Sequence, residues 1–120
     1  MLAAALAKLL ADLPELKSHA QPGDVIEAAD HVLRHELNID TDRIIEFPAD
    51  EIIRFLRSEM GIKNDHLEQL ADILFSLTDC SGKRKNLLGK CLQIYEYLEK
   101  NDATYSLDRH FRIEAIKSLL

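Results

Sequence analysis

The chain has 120 residues, 47% of them hydrophobic and 30% charged. That is the size and mixture of one globular domain, 1–120, and it excludes a low-complexity or disordered chain. The formal net charge of -6 opposes phosphate backbones and anionic lipid, so nucleic acid is a poor partner and a membrane surface a worse one. Four Gly, three Pro and no Trp leave little material for tight turns and tilt the class towards helix. Cys80 and Cys91 are too few for a disulfide framework, and their spacing is that of neither a zinc ribbon nor a redox pair, so the expected compartment is the cytoplasm.

Met1 to about Ser18 reads as a helix, with Leu2, Leu6, Leu9, Leu13 and Leu16 alternating at four and three residues. That is a heptad seam. It serves either to pack the helix on its own domain or to form a homodimer through Leu2, Leu6, Leu9 and Leu13. Pro14 removes one helical hydrogen bond and predicts a kink or a fresh start. The apolar run Met1–Leu13 is broken by Lys8 and Asp12, is too short to cross a bilayer, and lacks the basic lead and cleavage site of a secretory signal. It is therefore expected to be part of the fold.

Gln21-Pro22-Gly23-Asp24 reads as a break with Asp24 as N-cap, followed by a helix over about Val25–Leu37 whose Val25, Ala28, Ala29, Val32 and Leu33 share a face. Asn38–Glu46 is open between a loop and one helical turn begun by Asp40 or Thr41. Phe47-Pro48-Ala49-Asp50-Glu51 starts the next helix, with Pro in the first turn and carboxylates at the positive end of the dipole. It carries Ile52, Ile53, Leu56 and Met60 and ends at Gly61. Leu67, Leu70, Ala71, Ile73, Leu74 and Leu77, then Leu87, Leu88, Cys91, Leu92, Ile94, Tyr95 and Leu98, form two wide stripes around Cys80-Ser81-Gly82, which predicts a helical hairpin gripped on more than one side. After Asn101, Ser106 caps a final helix. Leu107, Phe111, Ala115 and Leu119 run along one edge of it, with Ile113, Ile116 and Leu120 beside them. The expected fold is all-α: about six helices as stacked antiparallel hairpins, in a regular array or an irregular bundle.

The segment with Leu67, Ala71, Leu74 and Leu77, then Gly82, Leu88, Cys91 and Tyr95, resembles tetratricopeptide repeats over about a third of the chain. The resemblance implies docking of a peptide or protein in a concave face.

For chemistry, Glu27, His31 and His35 stand one helical turn apart, a spacing that suits two imidazoles and a carboxylate around a metal; the competing reading is a polar, solvated helix face. Val32 stands where the protease form of the motif needs Glu. Lys83, Arg84 and Lys85 form the concentrated basic run, an anion-binding candidate set against a solvated turn. Gly82-Lys83 does not make a phosphate loop, because Arg84 replaces the magnesium-binding hydroxyl and Leu77 stands where the loop's first Gly belongs. Arg109, His110 and Arg112 form a smaller basic group, expected to be neutralised by Asp108 and Glu114. No nucleophile stands at motif spacing from a base, and no cofactor is implied. The expected role is a non-enzymatic protein-interaction or regulatory module with a protein or peptide partner; the alternative is a metal- or small-ligand-binding domain using Glu27, His31 and His35.

Overall fold

The computed structural model describes residues 2–120, with side-chain surroundings from Ala4 onward. The described residues form seven α-helices and one 3₁₀ turn, with no strand: α1 Leu2–His19, α2 Pro22–Leu37, α3 Thr41–Glu46, α4 Ala49–Glu59, α5 Asn64–Leu77, the turn Thr78–Cys80, α6 Arg84–Asn101 and α7 Leu107–Leu119. The all-α class and the α5–α6 hairpin stand as expected. The additional helix is α3, the segment left open in the sequence. Asp40 caps it, its carboxylate accepting the Arg43 N–H at 3.0 Å.

Two boundaries differ from expectation. α1 runs through Pro14 without a break. The proline is exposed and removes one hydrogen bond, while the buried Leu6, Leu9 and Leu13 before it and the half-buried Leu16 after it hold the helix to the core on both sides. α2 begins at Pro22, not after Asp24, because a proline already has the φ of a first helical residue. Its far end closes on Asn38 in the left-handed conformation, φ 58°, with the Asn38 N–H donating to the Arg34 carbonyl. α4 ends as read: Gly61 takes φ 65°, and the Ile62 N–H reaches back to the Leu56 carbonyl at 3.0 Å.

α5 and α6 make the most extensive helix pair, α1 packs on α5 and α2, and α6 also carries α3, α4 and α7. Of the arrangements expected from the sequence this is the irregular bundle, with a centre, α5–α6, clad by the others. The breadth of the α6 stripe explains this. Leu87, Leu88, Cys91, Ile94, Tyr95 and Leu98 are all buried, too many directions for one neighbour to cover. One apolar cluster runs from Leu6, Leu9 and Leu13 through α2, α5 and α6 to Ile113 and Ile116. Each fully buried leucine in it contributes about 2 kcal/mol.

The leucine seam of α1 is therefore occupied within the chain: Leu6, Leu9 and Leu13 belong to the core and offer nothing to a second molecule, while the side chain of Leu2 lies outside the described residues. Polar ties complete the shell. The Asp30 carboxylate accepts the Thr41 N–H at 2.9 Å and its hydroxyl at 3.0 Å, fastening α3 to α2. Lys17 Nζ donates to the Ser76 carbonyl at 2.8 Å and to Asp79 at 3.0 Å, fastening α1 to the end of α5. No described helix is long and apolar enough to cross a membrane.

Candidate functional site

The last helix presents one side to the core and an unusual one to solvent. Its start is local chemistry: the Ser106 hydroxyl accepts the Arg109 N–H at 3.1 Å, and Asp108 lies in the first turn, where the helix dipole favours a negative charge. The inward side is Arg109, Ile113 and Ile116, at helical spacing and all buried.

Arg109 is 2% exposed and each of its guanidinium nitrogens has a partner. Nε donates to Glu99 at 2.7 Å, Nη1 to Glu68 at 2.6 Å and to Asp102 at 3.4 Å, and Nη2 to the Thr104 carbonyl at 2.9 Å. Those acceptors come from α5, α6 and the connection into α7, so one planar cation ties three pieces of backbone together. Arg112 lies beside it, with Nη1 3.2 Å from Asp72. Asp72 also accepts the Tyr95 hydroxyl. Burial holds the Asp72 carboxyl above its ordinary range, against the pull of Tyr95 and Arg112. Burial and the neighbouring Asp72 push the Tyr95 phenol far up, so it stays a donor. The expected neutralisation of this basic group by Asp108 and Glu114 is replaced by carboxylates from α5, α6 and Asp102. Every buried charge on this side is spent on holding α7 in place.

The outward side is the opposite in character. Leu107, Phe111 and Leu119 are 54%, 60% and 46% exposed, and Ala115 between them is exposed as well. They form an i, i+4, i+8, i+12 ridge along the helix. Tyr105 before it and Leu120 after it, 67% and 53% exposed, extend the apolar surface at both ends. Scattered exposed leucines are normal on a protein surface, whereas a contiguous ridge of this kind marks a contact surface.

Elsewhere, the metal and anion candidates singled out in the sequence lie in solvent; His31 and His35 border one cleft with Lys8 and Asp12, without Glu27. Glu27, His31 and His35 all lie exposed on α2, and His35 Nδ1 is 3.3 Å from Glu36. Among the described residues no group of three or more His, Cys, Asp or Glu side chains is placed to hold a metal ion. Lys83, Arg84 and Lys85 are exposed at the start of α6. The Lys83 N–H donates to Ser81 Oγ at 3.0 Å, Arg84 borders a cleft with Lys17, Asp72 and Arg112, and Lys85 borders a different one with Asn86 and Lys90. An open groove of about 1080 Å³ separates α4 from α6. Its wall mixes Arg54, Arg57, Lys90 and Lys100 with Glu46, Asp50 and Glu96. Arg57 is already engaged there, over the Tyr97 ring at 5.7 Å and bonded to Asn64 at 2.7 Å.

The α7 ridge is legible in the sequence as a stripe without a direction, and Arg109, expected to pair with Asp108 and Glu114, turns inward to other partners. The available signal was the second stripe, Arg109–Ile113–Ile116, which competes for the same interior. Comparison with known proteins gives no matching family model, no matching curated protein and no matching solved structure.

Proposed function

We propose that the chain is a non-enzymatic protein-interaction module that docks an apolar face of another helix on the outer ridge of α7. One observation carries the reading: the ridge Leu107, Phe111, Ala115 and Leu119 lies in solvent although the opposite side of the same helix already fills the core. An amphipathic helix needs only one apolar side to fold, so the second has a use outside the domain. The mode is helix against helix, with anchors four residues apart. The rigid hold on Arg109 supports it, because a ridge fixed from behind loses little freedom when covered. The resemblance of the α5–α6 hairpin to tetratricopeptide repeats points to the same broad role, docking, by a different face.

A photo-crosslinking amino acid at Ala115, introduced in the protein's own cells, tests this. Covalent protein adducts are expected at that position and not at Lys85, an exposed site away from the ridge, and Phe111→Glu in the same chain should abolish them. Absence of adducts at Ala115, or equal adducts at Lys85, overturns the proposal.

A further inference from the structure

We infer that the helix received by α7 is the α7 of a second copy of this chain, the two ridges lying antiparallel across a two-fold axis at the level of Ile113. This rests on α7 being a docking ridge and adds the identity of its occupant.

The ridge is self-complementary in that arrangement. A two-fold axis at Ile113 sets each position opposite the one as far beyond Ile113 as it is before it. Leu107 then meets the partner's Leu119, and Phe111 meets the partner's Ala115. The bulkiest side chain of the ridge faces the smallest, twice, with leucines closing both ends; large against small is how helix surfaces interlock. A parallel pairing has no such match. It sets Phe111 against the partner's Phe111 and Ala115 against the partner's Ala115, one crowded and one hollow.

Charge favours the same choice. His110, whose ring lies tilted against Phe111 with centroids 6.1 Å apart, falls within two positions of the register opposite the partner's Glu114. The antiparallel pair thus brings donor to carboxylate on each side. Two copies carrying -6 each repel over most of their surface. α7 adds little to that repulsion: Arg109 and Arg112 are paired with Glu68, Glu99, Asp102 and Asp72, which leaves Asp108, Glu114 and Lys117 as its exposed charges. Self-association at this helix therefore sets few free charges against each other. A pairing confined to one short helix is smaller than the roughly 800 Å² per partner of a standard interface, so a micromolar dissociation constant is expected.

Sedimentation equilibrium of the full chain over two decades around the micromolar range is the test, with Phe111→Glu as the variant. Phe111 is exposed, so the variant keeps the fold, which its circular dichroism melt verifies. Dimerisation by the intact chain, weakened about tenfold or more in the variant, is expected. Register is read by disulfide trapping in a Cys80→Ser background. An equal mixture of Leu107→Cys and Leu119→Cys chains should yield the mixed dimer, and neither chain alone should, since like positions are about 18 Å apart in the antiparallel pair. A trapped dimer from Leu107→Cys alone overturns the antiparallel register, and a dimer indifferent to Phe111→Glu overturns the interface. A chain that stays monomeric while Ala115 crosslinks to a protein of another mass ends self-pairing and leaves the docking ridge standing. A monomer with no adducts at Ala115 ends both.

Discussion

Arg109 Nη1 and Glu68 Oε1 lie 2.6 Å apart across 41 positions of the chain, and this contact, with those to Glu99 and Asp102, fixes which side of α7 faces the core. The cation is buried while its carboxylates are about a quarter to a third exposed. Removing it strands three negative charges around an empty space. Arg109→Ala is expected to cost about 3 kcal/mol in urea denaturation. Arg109→Lys should recover only a minor part, because a point ammonium cannot serve three carboxylates and the Thr104 carbonyl in one plane. Full recovery by lysine would show that charge alone, and not the planar fork, holds the helix.

The inward and outward leucines separate in the same measurement. Leu6→Ala and Leu13→Ala, at fully buried positions, should each lose about 3 kcal/mol through lost burial and the cavity left behind. Leu107→Ala and Phe111→Ala should stay within about 0.5 kcal/mol of the parent chain at concentrations where it is monomeric. A large loss at Phe111 would place its ring in the core.

Acid titration distinguishes the buried carboxylates by sign. Burial raises Asp30 and Asp72. The stability linked to such a group is complete below the unfolded carboxylate value of about 3.9 and is lost as pH rises through the raised folded value. Asp72→Asn, which keeps an acceptor for Tyr95, should therefore gain on the parent chain as pH rises from about 4 to 7. Asp40 runs the other way. The Arg43 N–H and then the Arg34 guanidinium hold it low, so its contribution is present above about 3.9 and is lost as pH falls through the lowered folded value. Asp40→Ala should lose ground on the parent chain as pH rises towards about 3.9 and keep a constant deficit above it. Parallel stability profiles for the two variants would contradict both assignments.

The two thiols should differ in reactivity. Cys91 is buried on α6, where burial and then Asp72 push its thiol far up. Cys80 is half-exposed at the end of the 3₁₀ turn. One equivalent of a thiol reagent should react with the native chain and the second only on unfolding. Rapid labelling of both would show that α6 opens locally.

The sequence by itself determined the helices and most of their ends. The reason is local: a side-chain pitch of 3.6 residues, the caps Asp40 and Ser106, Pro at the starts of α2 and α4, and Gly61 in the left-handed region all act within one or two turns. It also marked Leu6, Leu9 and Leu13 as a seam and offered the α5–α6 hairpin. Only the tertiary structure decided what each seam faces. On α1 the leucines turned inward because α2 and α5 close over them. On α7 the more continuous stripe, Leu107 to Leu119, turned outward, because Glu68 from α5 joins Glu99 and Asp102 and draws Arg109 inside with Ile113 and Ile116. A buried cation follows its partners, and a partner such as Glu68, 41 positions away, leaves no periodic trace.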